Sequence, residues 1–212
     1  MPRGRKKIAH PEAARRILAA AERIFAAEGL AGARTDEIAA AARVNKAMLY
    51  YYFGDKERLY RAVLENLILQ LSASVEAAST HVDSPRGQLL AFLDAYFEFL
   101  AGHPAYPRLI QRETMRSGGH LDWIVRDFFR PSHQRMVRLI ERGIRKREFR
   151  RVDAHHAVFT IISMCVFYFS AAPVLSRVMR RDTLRPESVA ARRRAVLDFI
   201  SHGLFVNHAR SA

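Results

Sequence analysis

Between Gly29 and Asp55 the chain places four helix-punctuating signals within about two dozen residues: Gly29, Thr35, Asn45 and the pair Gly54-Asp55. Gly is the usual left-handed stop after a helix, and Thr, Asn and Asp are the side chains that cap a helix start. Neither a long helix nor a strand survives such spacing, so this stretch is restricted to short helices folded into a small module. Asp36 and Glu37 follow Thr35 and set negative charge against a positive helix end. The reciprocal capping box is absent, because Ile38 stands three residues after Thr35. The spacing predicts helices over 11–28, 35–42 and 45–53. In the first, Pro11 suits a first-turn position and Ile17, Ala21, Ile24 and Phe25 share one apolar face.

Downstream the periodicity lengthens and predicts helices near 55–79, 86–101, 105–116, 121–147, 153–180 and 187–206. Pro131 and Pro173 fall inside two of these and should kink or divide them. No run alternates with period two over a useful length, so the fold class is all-α. The chain's 212 residues suffice for an N-terminal unit of residues 1–55 and a larger unit of residues 56–212. The helix beginning at Asp55 would then serve both.

The short helices meet the demands of a helix-turn-helix, with apolar residues at the crossing and small residues where backbones approach. Ile38, Ala41, Val44, Leu49 and Phe53 supply the first, and Ala39 and Ala40 the second. The second helix of such a pair enters the major groove N-terminus first. That presents Asn45, Lys46, Ala47 and Met48 to bases: Lys46 for a phosphate or guanine edge, Ala47 for a thymine methyl, Met48 for apolar contact only. Tyr50, Tyr51 and Tyr52 point about 100° apart on a helix and cannot all be core. Tyr50 and Tyr51 are assigned to phosphate or base contact, and Tyr52 to the groove's flank or to closure over Phe53. Thr35 and Lys56 lie at helix starts, where an anion is already favoured.

A formal charge of +14 and a pI near 10.8 imply a polyanionic partner, nucleic acid or an anionic membrane surface. Arg3, Arg5, Lys6 and Lys7 form a basic arm that reads equally as a minor-groove arm or a solvated tail.

The run Thr35-Asp-Glu-Ile-Ala-Ala-Ala-Ala-Arg-Val-Asn-Lys-Ala-Met-Leu-Tyr-Tyr-Tyr-Phe-Gly-Asp-Lys-Glu-Arg-Leu59 resembles the signature of the tetracycline-repressor (TetR) family, and Ile17 to Gly29 resembles that family's first helix. The resemblance covers about residues 11–65. It implies a homodimer with an N-terminal reader of double-stranded operator DNA. It also implies a C-terminal helical domain that binds a small-molecule effector and releases the operator, repression being the usual outcome. Thr35, Lys46, Tyr50, Tyr51 and Lys56 match positions that commonly contact DNA. Ala47 stands where the family often has Gly, and Asn45 and Met48 where it often has Ser or Thr, so the reading surface is more apolar.

By the same resemblance the last two helices pack against their copies as a four-helix dimer interface. The residues agree: Phe159, Ile162, Val166, Phe167 and Phe169 exceed what one helix should show to water, and Val196, Leu197, Phe199, Ile200 and Leu204 continue an apolar face. Effector-pocket candidates are Tyr96, Phe97, Tyr106, Met115, Trp123, Phe128, Met164 and Tyr168, although most of such a set is ordinarily core. Arg145-Lys146-Arg147, Arg150-Arg151, Arg180-Arg181 and Arg192-Arg193-Arg194 read as solvated helix faces, with an anionic effector or further nucleic-acid contact as the sharper alternative.

Other classes fit less well. Ala157 to Ser176 carries no formal charge and has the length of a membrane span, but it contains Thr160, Ser163, Ser170 and Pro173 and reads as a buried helix. The lone Cys165 cannot form an internal disulfide, and a reducing cytoplasm fits. His155 and His156 are sequence neighbours that point apart, and no Gly-rich phosphate loop or nucleophile elbow is present. The sequence therefore calls for no cofactor, no metal and no catalytic residue.

Overall fold

Arg43 sits in the left-handed region (φ 54°) and makes the turn that the whole N-terminal unit depends on. Its N–H donates to the carbonyl of Ala40, and that of Val44 to Ala39. This pairing is the Schellman ending of a helix, here made with Arg where Gly would be cheaper. In the computed structural model, which describes residues 11–116 and 119–206, the turn joins α2 (Thr35–Ala41) to α3 (Lys46–Phe53). The arm of residues 1–7 lies outside the described residues. Ile38 and Leu49, both with no exposed surface, share one apolar core with Phe25 and Ala21 of α1 (Pro11–Gly32).

The predicted caps are mostly in place. Gly29 takes φ 70° and breaks α1, with one further turn running to Gly32. The Asn45 side chain accepts from the Ala47 N–H, and that of Asp55 from the Arg58 N–H. Thr35 is the exception. The Ile38 N–H bonds to the carbonyl of Arg34, so the helix starts one residue earlier and Arg34 holds the cap position without a side-chain cap.

The remaining helices are α4 (Lys56–Ser79), α5 (Pro85–Gly102), α6 (Ala105–Arg116), α7 (Gly119–Ile124), α8 (Arg130–Arg145), α9 (Ala154–Ser170), α10 (Ala172–Val178) and α11 (Pro186–Leu204). α5 is the central rod: Leu89, Leu93, Tyr96, Phe97, Phe99 and Leu100 are all buried. The predicted helix over 121–147 is divided. A π-helical turn (Val125–Phe129) joins α7 to α8, because Pro131 has no N–H to give and its ring would meet the preceding turn. Pro173 likewise splits the helix predicted over 153–180 into α9 and α10, bent by 76°. Among the described residues no single helix is long and apolar enough to cross a membrane.

The apolar surplus of α9 and α11 is spent differently from expectation. Phe169 is buried, Ile162 and Val166 are half-buried against an internal cavity, and Val196, Ile200 and Leu204 belong to the protomer's own core. Phe159, Phe167 and Phe199 remain more than 60% exposed, joined by Val174 and Val178 of α10. At the far end an antiparallel bridge pairs Phe149 with Phe205, the Arg150 N–H donating to Leu204 and the Val206 N–H to Glu148. The two rings stack 5.5 Å apart, and Phe149 lies directly over Gly143 of α8.

Candidate functional site

Residues assigned to contact from the sequence gather at two separate places on the molecule. The first is the outer face of α3. Asn45, Lys46 and Ala47 are exposed, Met48 is half-buried, and Leu49 turns inward as the anchor. Tyr50 and Tyr51 are 43% and 66% exposed, whereas Tyr52 leans on Tyr51 and Phe53 in edge-to-face contacts. The Tyr50 hydroxyl lies 3.4 Å from the Thr35 hydroxyl, so the two form one polar spot at the start of α2. Lys46 is paired with Asp36 at 2.7 Å, and that hydrogen bond raises the ammonium pKa above its ordinary value. Asp36 of α2 thereby tethers the Lys46 side chain at the start of α3.

Lys56 is differently employed. Its ammonium donates to the carbonyls of Ala33 (3.1 Å) and Ala31 (3.4 Å), the end of α1. The guanidinium of Arg112, from α6, donates to the Ala27 carbonyl at 2.8 Å on the same end of α1. A side chain at Gly29 would collide with this guanidinium, which adds a packing reason for glycine to the positive φ. One polar side chain from α4 and one from α6 thus fasten the end of α1 to both helices. A buried pair lies behind them: the Tyr60 hydroxyl donates to the Glu113 carboxylate at 2.7 Å, again α4 to α6. The sequence reading missed Arg112 and Glu113, because nothing in their spacing distinguishes them from other charged residues on an amphipathic helix.

The second place is a cavity of about 860 Å³. It is lined by residues of α4, α5, α6, α8, α9 and the π turn. Of the predicted pocket residues, Tyr96, Tyr106 and Phe128 line it. Burial drives both tyrosine phenols above their ordinary pKa, so each stays a neutral hydroxyl. Phe97 and Tyr168 are buried elsewhere, the latter donating to the Thr183 carbonyl at 2.8 Å. Trp123 is buried beside Phe128 and under Arg61, Met164 is half-buried against the core, and Met115 is 78% exposed. The aliphatic lining (Leu71, Val75, Ile110, Leu139) was not singled out from sequence, since such residues at helical spacing are indistinguishable from core.

Among the described residues no three His, Cys, Asp or Glu side chains gather to hold a metal. His155 does find a partner, but across to α8, where its Nδ1 lies 2.9 Å from Nε2 of His133. Burial pushes the Cys165 thiol up to about 12, which makes it a poor nucleophile.

Residues 17–63 match the model for bacterial regulatory proteins of the tetR family, and residues 85–200 that for the tetracyclin repressor-like C-terminal domain. The chain belongs to the TetR family. As such it is a sequence-specific DNA-binding regulator of transcription, with the dimer-forming fold of that family. It is 28% identical to the transcriptional repressor NicS of Pseudomonas putida over 191 residues, 89% of this chain and 90% of that one. It is 36% identical to the transcriptional activator FasR of Mycolicibacterium smegmatis over 94 residues, 44% of this chain and 43% of that one. Its TetR fold superposes on a regulator from Saccharomonospora viridis in complex with choline at a TM-score of 0.76 and 19% identity, covering 93% of this chain and all of that one.

Proposed function

We propose that the protein is a homodimeric repressor that leaves its operator when a small molecule fills the cavity between α4 and α8. The observation that carries this reading is the position of α4. Leu59, Tyr60 and Val63, near its start, are buried where it meets the reading unit, and Ile68, Leu71 and Val75 wall the cavity further along. The ligand acts only by preferring the conformer that cannot hold DNA. Residues 1–55 form the reading unit and residues 56–212 the effector and dimer unit, with α4 continuous between them. Copies meet through α9 and α11, and the protein works in the cytoplasm beside its DNA. Repression is favoured by the near full-length likeness to NicS over the shorter likeness to FasR.

The DNA contacts proposed are Thr35, Asn45, Lys46, Ala47, Met48, Tyr50, Tyr51 and Lys56. For Lys56 the ammonium is engaged with α1, so its contribution to phosphate binding comes as much from fixing the start of α4 as from its charge. Tyr50→Phe removes a hydroxyl without disturbing Leu49. It should weaken binding several-fold and equally for all sequences, as loss of one net hydrogen bond of about 1 kcal/mol does. Lys46→Ala should also change base preference. Fluorescence anisotropy on DNA upstream of the protein's own gene, against scrambled DNA in a salt series, measures both. Each phosphate contact contributes roughly 0.9 to the log–log salt slope. Equal affinity for both DNAs, or wild-type affinity in both variants, would place the reading surface elsewhere.

A further inference from the structure

The cavity is polarised end to end. Its α4 wall runs from Ile68 to Thr80, about 18 Å of helix. The end at Ile68 is closed by Tyr96, Tyr106, Ile110 and Phe128, aromatic or aliphatic side chains whose only polar atoms are neutral phenols. Toward Thr80 the lining becomes Ser79, Gln88, Arg138 and Arg142. Arg135, Arg138 and Arg142 recur at three and four residues along α8, so they stand on one face, and all three line the cavity.

Two of these arginines are held by neutral partners. Gln88 donates through Nε2 to the Val82 carbonyl and accepts from Arg142 at 2.7 Å, which fixes the guanidinium at the rim without neutralising it. Arg135 bonds to the Ser132 hydroxyl at 3.0 Å. Two carboxylates oppose them. Glu76 stands at the same end, and Asp127 lies by the π turn, where Arg126 grips it through two hydrogen bonds and lowers its pKa. His133 also lines the wall, engaged with His155. The lining therefore carries three arginines, and Glu76 is its one carboxylate with no arginine ion pair among the described residues.

From this gradient we infer that the cavity takes an extended amphipathic carboxylate, an apolar chain or ring system with one terminal carboxyl group, its tail against Tyr96 and Phe128 and its head at Arg138 and Arg142. This deepens the effector reading and rests on it only for the consequence to DNA, not for binding. Charge and polarity both select the head: guanidinium forks match a carboxylate, and an apolar wall of this length rewards each buried methylene.

The test is calorimetric titration of the full-length dimer with tetradecanoate, tetradecanol, tetradecyltrimethylammonium and acetate, each below its micellar concentration, for the wild type and Arg138→Gln/Arg142→Gln. Tetradecanoate should bind once per protomer, at least tenfold tighter than the alcohol or the cation, and acetate should not bind measurably. The double variant, altered only at exposed positions, should lose about tenfold for tetradecanoate and keep its affinity for the alcohol. Binding indifferent to head group, preference for the cation, or an unchanged double variant would overturn the inference. Anisotropy on operator DNA separates the two readings. Tight tetradecanoate binding that leaves DNA affinity unchanged upholds the ligand class and removes the effector role. Release of DNA by a compound of another class, without tetradecanoate binding, does the reverse.

Discussion

Phe167→Asp combined with Phe199→Asp should give a folded monomer that binds operator on the order of a hundredfold more weakly than the wild type, because two tethered heads profit from each other's binding. Both rings are more than 60% exposed in the protomer, on α9 and α11, and neither is among the residues buried in its core. The substitutions therefore cost the protomer little. In a dimer that buries this face they place two desolvated carboxylates per subunit against an apolar surface that includes Val174 and Val178. Light scattering reports the mass, circular dichroism the helicity and anisotropy the DNA affinity. A dimer that persists with both aspartates in place would show that copies meet through another face.

Gly143→Ala is the smallest substitution with a large expected effect on stability. A methyl group at this position would overlap the ring of Phe149, which is 2% exposed and stacked on Phe205. Phe205 in turn carries the Arg86 guanidinium over its ring, 4.5 Å from the centroid. The ring cannot withdraw without loosening the bridge between residues 149 and 205. Overpacking of this kind costs about 1–3 kcal/mol, against which Ala regains somewhat under 1 kcal/mol of helix propensity. A loss of about 2 kcal/mol lowers the melting temperature of a chain this size by roughly 4–8 °C. Gly203→Ala is the control: it sits in α11 with nothing within 4 Å of the added carbon and should raise the melting temperature slightly. If both variants melt together, the Phe149–Phe205 stack is softer than its geometry implies.

The reading unit was legible in the sequence because its determinants are local. Gly29, Asn45 and the pair Gly54-Asp55 each act within one turn, and of the four punctuating signals only Thr35 departs from its expected role. Thr35 failed as a cap because Arg34 competes for the same role, and propensity alone does not say which residue's carbonyl closes the first turn. Pro131 and Pro173 announced their breaks, but not that one would be absorbed by a π turn and the other by a 76° bend. The cavity was the least legible feature. Tyr96, Tyr106 and Phe128 line it while Phe97, one residue from Tyr96, is buried elsewhere. That distinction depends on which side of α5 faces α4 and which faces α9, a tertiary fact with no local signature. Phe169 and Val196 show the same limit, since a strongly apolar helix conceals how its surface is shared between the protomer's core and a second copy.

α4 has a mechanical consequence. Its 24 residues form a continuous helix from the cavity to the reading unit, so about 26 Å of stiff rod separates Leu71–Val75 from Lys56. A tilt of about 5° at the cavity displaces the other end by about 2 Å, a geometric gain with no intermediate part to yield. Two copies tilting symmetrically change the separation of their reading helices by up to about 4 Å, against half-sites fixed by DNA at about 34 Å. Hydrogen bonds to bases fail well before that, so under the proposed function a ligand that tilts α4 by this much would release DNA without unfolding anything.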